Sequence, residues 1–250
     1  METFNYKVTT KSSLILSPRA SLAFYRDLDD FFLQKINKES QWLNQEKLKV
    51  IYPFYQYGIY TEYNPVGAEY YIPGSSVKGA LKQGLSVVSR FMVDDIPIPN
   101  EAIVLRNLYK AQYLDDDKSA CFDVFFENVG IEMIQAEKSF TGSFNCDDTV
   151  NVTDLLSEAN KSTRIRIGQM TDYLNKLKDN HYADDLTVCL QKAVDCLSSF
   201  LENKNIFLLG GYKGLLHSME VKVPALENAG AVFLDPETML PHGLVELELI

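Results

Sequence analysis

Cysteine is sparse and scattered in this chain. Cys121, Cys146, Cys189 and Cys196 include no C-x-x-C pair and have no histidine at ligand spacing, so neither a zinc site nor a disulfide framework is indicated. Cys189 and Cys196 lie two helical turns apart on an apolar face, as ordinary small core residues do. Histidine is scarcer still, at positions 181, 217 and 242, which leaves three candidates for a histidine acting as general acid or base. No apolar run approaches the roughly 20 residues that a membrane span requires. The first eleven residues are polar and mixed in charge, unlike a signal peptide, so the cytoplasm is the expected compartment. There is no fixed-period repeat and no Gly/Ser-rich linker.

Positive charge is also in short supply. Against 34 acidic residues stand 24 lysines and arginines, a net charge of −10, which argues against a protein that coats nucleic acid by bulk attraction. The distribution carries more than the sum. Acids cluster at Asp94-Asp95, Asp115-Asp116-Asp117, Asp147-Asp148 and Asp184-Asp185, as solvated loops and helix starts do, whereas residues 72–92 carry Lys78, Lys82 and Arg90 and no acid. A locally basic lane on an acidic body suits a guest held by a few phosphates.

With 250 residues and 46% apolar content the chain can bury one large core or two small ones. Its most informative stretch is Tyr71-Ile72-Pro73-Gly74-Ser75-Ser76-Val77-Lys78-Gly79-Ala80-Leu81-Lys82. A strand ends, Pro73 and Gly74 turn the chain, Ser75 or Ser76 can cap, and Val77, Leu81, Leu85 and Val88 recur at helical spacing. The N–H groups at such a helix start favour an anion, with two hydroxyls beside them and Lys78 and Lys82 one turn apart on one face.

Elsewhere the pattern predicts a strand over 4–16, a helix over 19–38, and an aromatic-rich strand over 48–58 that contains Tyr52, Phe54, Tyr55 and Tyr57. A short strand over 69–72 leads into the turn. After the Pro97/Pro99 breaker come strands at 102–105 and 120–126, a helix or strand over 129–138, and a turn at Thr141-Gly142. Two helical patterns cover 152–180 and 184–203, and strands follow at 206–209, 219–223, 231–234 and 243–249. The interleaving indicates an α+β arrangement of antiparallel sheets with helices on one side.

A second glycine cluster, Gly210-Gly211-Tyr212-Lys213-Gly214, follows an apolar strand near the C-terminus and permits close backbone approach. It lacks the Gly-Lys-Ser/Thr ending of a nucleotide-hydrolysing loop. Such turns serve packing more often than ligands; Lys213, Tyr212 and His217 add a charge and aromatic faces on which a base can stack.

The string Ile72-Pro73-Gly74-Ser75-Ser76-Val77-Lys78-Gly79-Ala80-Leu81-Lys82 is very similar to the signature of the RAMP superfamily, the guide-RNA-binding subunits of type III CRISPR effector complexes. The order of Phe122-Asp123-Val124, Glu132-Met133-Ile134 with Phe140-Thr141-Gly142, and the 210–214 glycines also resembles that family. With a helical insert before the glycine loop, it looks most like the Csm-type subunit that caps the filament near the 3′ end of the guide. The likeness is firm over 69–90, looser over 119–143 and 205–218, and weak elsewhere. One departure is the glycine-free run Leu16-Ser17-Pro18-Arg19-Ala20-Ser21, where the family usually has a short glycine-containing loop. Another is that Asp27, Asp29 and Asp30 fall in a helical pattern rather than on the loop where target-cleaving relatives keep an aspartate.

The resemblance implies a ferredoxin-like, RNA-recognition-motif-like fold, with an N-terminal region over 1–145 and a continuous C-terminal region over 146–250. It implies a non-catalytic subunit that holds guide RNA (crRNA), assembles with other RAMP-type subunits and meets target RNA indirectly, in antiviral defence, with no cofactor, metal or membrane. The RNA-contacting residues would be Gly74, Ser75, Ser76, Lys78, Gly79, Lys82, Gly210, Gly211, Lys213, Gly214 and Arg19. Base pairing would then read sequence while the protein reads backbone. Two other readings stay open. One is a metal-independent, guide-processing endoribonuclease with His217 as acid or base; the other is a protein-only adaptor docking through its aromatic segments.

Overall fold

Strict alternation builds the first strand. Tyr6, Val8 and Thr10 point into the core and Asn5 and Lys7 to solvent, the period-two pattern of a half-buried strand. In a computed structural model, described over residues 1–16, 22–29, 41–58, 61–82, 90–113, 119–147, 150–179, 184–210, 214–218 and 230–250, this is β1 (Glu2–Thr10). In chain order the other strands are β2 (Phe24–Tyr25), β3 (Val50–Tyr52), β4 (Tyr70–Ile72), β5 (Phe91–Val93), β6 (Ile96–Ile98), β7 (Ile103–Arg106), β8 (Leu108–Tyr113), β9 (Ala120–Phe125), β10 (Val129–Ile134), β11 (Ser139–Cys146), β12 (Ile206–Leu208), β13 (Val232–Leu234) and β14 (Leu244–Leu249). The helices are α1 (Gly74–Leu81), α2 (Val152–Asp179), α3 (Asp184–Phe200) and the single turn α4 (Leu215–Ser218).

The result is a mixed α+β fold. Its main sheet is antiparallel throughout, in the order β12-β14-β1-β11-β5. Strands from both 1–145 and 146–250 lie side by side in it, so the two regions share one sheet. A second sheet, β2-β3-β10-β7, contains one parallel pair, β3 with β10. The remaining strands form a three-stranded sheet, β13-β8-β9, and the pair β4-β6. The amphipathic helices α2 and α3 pack through Ile167, Met170, Leu174 and Leu177 against Leu190, Ala193, Val194 and Leu197. Each fully buried leucine there contributes about 2 kcal/mol. No helix among the described residues is long and apolar enough to cross a membrane.

Several local expectations are corrected. Thr141-Gly142 is no turn but mid-strand in β11, where Gly142 pairs with Tyr6. A Cβ on Gly142 would lie 2.6 Å from the Tyr6 ring, so the glycine makes room for a core aromatic. Within the expected 19–38 helix, Phe24 and Tyr25 instead pair with β3, and Phe24 packs edge-on to Tyr63 at 5.8 Å. Asp27 and Asp29 lie in the turn that follows, with Asp29 accepting the Tyr25 amide at 2.7 Å; Asp30 lies outside the described residues. The 129–138 stretch is the strand β10, and Pro97 sits inside β6, an edge position that tolerates a missing N–H. The expected strand over 219–223 falls outside the described residues.

Two buried polar joints hold the layers. Glu132 on β10 accepts the Phe54 amide at 2.8 Å and the Tyr70 hydroxyl at 2.7 Å, with Tyr63 as a further donor. Burial outweighs these donors and pushes its carboxyl up to about 7. This strut anchors β4, the strand that delivers α1. At the other end Asp235 accepts the Ser13 amide at 2.9 Å and pairs with Arg106 at 3.3 Å, while Ser13 Oγ lies 2.8 Å from His242 Nδ1. All four side chains are buried, so this serine–histidine–aspartate grouping is a structural joint rather than an open reactive site.

Candidate nucleic-acid interface

The helix α1 is short and two-faced. Gly74, Val77, Ala80 and Leu81 are buried, and helical spacing turns Ser75, Lys78, Gly79 and Lys82 to the other side. Ser75 and Gly79 are exposed, while Ser76, Lys78 and Lys82 are half-buried. Among the described residues neither Lys78 nor Lys82 has an ion-pair partner. Lys78 and Lys82 thus stand one turn apart on the side opposite the buried residues, and Arg90, just before β5, is exposed.

The start of the helix differs from expectation. Neither serine caps it: Pro73 holds the N-cap position at φ −61°, ψ 131°, and Ser76 donates its amide to the Pro73 carbonyl at 2.9 Å. The Gly74 amide already has an anion, because it donates to Asp95 Oδ1 at 2.7 Å. Asp95 thus supplies the negative charge that the helix terminus favours. Gly74 itself is glycine for packing, since a Cβ would lie 2.1 Å from the Val93 carbonyl oxygen. Gly79 is the opposite case, with no described residue within 4 Å of where its Cβ would stand. A glycine in an exposed helix costs about 1 kcal/mol relative to alanine, and nothing among the described residues around Gly79 asks for it.

Of the second glycine cluster Gly210 and Gly214 are described, and both lie against other parts of the chain. Gly210 has φ +65° and its Cβ would lie 2.5 Å from the Ile15 carbonyl oxygen; Gly214 is buried, with His217 and Phe233 against its Cβ direction. His217 is 3% exposed, accepts the Phe233 amide at Nε2, and has its pKa lowered to about 3 by burial, with smaller contributions from His242 and Arg166. So enclosed a ring offers no face to an RNA chain or to a base. Gly211, Tyr212, Lys213, Arg19 and His181 lie outside the described residues.

Sequence reasoning missed two neighbours of α1. Asp95, read there as one of a solvated acidic pair, links the helix start to Tyr57, whose hydroxyl donates to Asp95 Oδ2 at 3.3 Å. Tyr57 in turn stacks on Tyr71 with ring centroids 4.1 Å apart and planes 11° from parallel. Asp123, by contrast, is an exposed residue of β9 that accepts the Val124 amide.

Among the described residues no group of three or more His, Cys, Asp or Glu side chains is arranged to hold a metal ion. No protein-family model and no curated protein matches the chain. Among solved structures, a chain of a cryo-EM Csm–crRNA–target RNA ternary complex of a type III-A CRISPR-Cas system superposes with a TM-score of 0.51 and 11% sequence identity, over 99% of this chain and 100% of that one. At that identity the likeness is one of fold.

Proposed function

We propose that this chain is a non-catalytic guide-RNA-binding and assembly subunit of a type III CRISPR ribonucleoprotein, acting in the cytoplasm beside other RAMP-type subunits. The observation that carries the reading is the outer stripe of α1. Ser75, Lys78, Gly79 and Lys82 line one face, and no described residue stands within 4 Å of where the glycine's Cβ would be. Two cations one turn apart suit successive phosphates of a single strand, and a missing Cβ lets a sugar–phosphate chain approach the helix.

The fold-level likeness to a chain of a Csm–crRNA–target RNA complex supports the same assignment, as does the family-like string from Ile72 to Lys82. Within such a complex the favoured place is the cap near the 3′ end of the guide, on a ferredoxin-like scaffold. The burial of His217 speaks against the endoribonuclease reading that relied on it.

Salt-dependent RNA binding tests the proposal. Lys78→Ala with Lys82→Ala should weaken binding to single-stranded RNA and reduce the slope of log K against log salt by about 1.4, roughly 0.7 for each phosphate no longer neutralised. Unchanged affinity and unchanged slope would refute the assignment of α1. RNA incubated with the protein without divalent metal should stay intact, and specific cleavage would overturn the non-catalytic reading.

A further inference from the structure

We propose that the outer face of the Tyr57 ring is a stacking platform for one unpaired base of the RNA whose phosphates lie along α1. The proposal rests on the reading of α1 given above and adds to it a place for a base.

Tyr57 is 48% exposed although Tyr71 covers one face of its ring in a near-parallel stack at 4.1 Å. The remaining exposure therefore lies on the opposite face and the edge. Tyr55 continues the row behind, its ring 5.9 Å from that of Tyr71. The backbone beneath is fixed: Tyr57 donates its amide to the Glu69 carbonyl at 3.0 Å, and Tyr71 donates to the Tyr55 carbonyl at 3.1 Å, which binds 55–57 to β4 as an added edge. With the hydroxyl also held by Asp95, the ring is set before any guest arrives, so stacking costs little ordering entropy.

Asp95 decides which part of a nucleotide belongs here. One of its oxygens accepts the first amide of α1 and the other accepts the Tyr57 hydroxyl, so ring and helix start face each other across a single carboxylate. A phosphate is disfavoured beside that charge and is drawn to Lys78 and Lys82. A base is neutral and has a π-face for the tyrosine. The division predicts a base over Tyr57 and backbone along the lysine stripe.

The test is binding of the full chain to a labelled oligouridylate, compared across variants and salt concentrations. Tyr57→Ala should weaken binding by about 5- to 100-fold with the salt slope unchanged, whereas Tyr57→Phe should stay within about twofold of the unsubstituted chain. If Tyr57→Ala proves unstable, Tyr57→Leu keeps the bulk, removes the π-face and should show the same loss. Full affinity in a folded Tyr57→Ala or Tyr57→Leu variant, while the double lysine variant loses binding, overturns the platform and leaves the phosphate reading standing. If the lysine variant also binds normally, both readings fall. A Tyr57→Ala chain that binds RNA normally but no longer joins co-expressed complex subunits would reassign the stack to a protein contact and likewise overturn the proposal.

Discussion

Two glycine-containing segments, 74–82 and 210–214, look alike in sequence: each follows an apolar strand and carries lysine. The structure separates them. No described residue lies within 4 Å of the Cβ direction of Gly79 and the lysines lie on the outer side of α1, whereas Gly210 presses against Ile15 and Leu16 and Gly214 against His217 and Phe233. Gly79 stands on a surface, whereas Gly74, Gly210 and Gly214 are joints. A glycine serves a ligand only when the space its side chain would take is not already filled by the chain itself.

The largest expected effects come from filling the occupied positions. Gly74→Ala and Gly210→Ala each set a Cβ within 2.1–2.5 Å of a backbone carbonyl oxygen, which cannot rotate away as a side chain can. Gly210 adds the cost of a positive φ. Each substitution should destabilise the protein by on the order of 3 kcal/mol in urea unfolding. Losses below about 0.5 kcal/mol would break the contrast between joint and surface.

The difference between the segments was only half legible in sequence, for reasons of range. The Pro73-Gly74 turn, the Val77 and Leu81 spacing and the long helices α2 and α3 are local patterns, and the structure keeps them. The short strand β5 is set by β11, far along the chain, β8 lies between the following strand β9 and the distant β13, and β6 carries a proline that reads as a breaker. Asp95 acts on residues 21 and 38 positions away, so its role in holding Gly74 and Tyr57 leaves no local trace. Gly142 reads as a turn because its reason, the Tyr6 ring, lies across the sheet. The enclosure of His217 likewise depends on Phe233 and Arg166, which meet it only in the fold.

Acid should strain the joint before the surface. His217 and His242 are neutral when folded, with pKa values lowered by burial from 6.5 to about 3 and about 4. Their stabilisation is complete above pH 6.5 and is lost as pH falls toward those folded values, because the unfolded chain takes up the protons first. Glu132 acts in the opposite sense. Its carboxyl is raised from 4.5 to about 7, so its contribution is complete below pH 4.5 and is lost as pH rises through 7. Between pH 6.5 and 4.5 two protons on the unfolded chain are thus offset by one on the native chain, a net loss of about 1.4 kcal/mol per pH unit. Glu132→Gln removes the offset and should roughly double that slope in unfolding titrations. An unaltered slope would mean that Glu132 does not titrate as a buried acid.

The smallest effect is the most discriminating, because its sign differs from that of the filled glycines. Gly79→Ala adds a methyl group where no described residue stands within 4 Å and replaces the least favourable non-proline helix residue with the most favourable. The chain should become more stable by about 0.5–1 kcal/mol, while affinity for single-stranded RNA falls because the methyl group holds the backbone away from the Ser75–Lys82 stripe. Destabilisation would show that this face of α1 is covered within the chain. A stability gain with unchanged RNA affinity would remove Gly79 from the contact and leave the lysines to hold the strand alone. Only greater stability combined with weaker binding fits a glycine kept, at a cost to its own helix, for the approach of a guest.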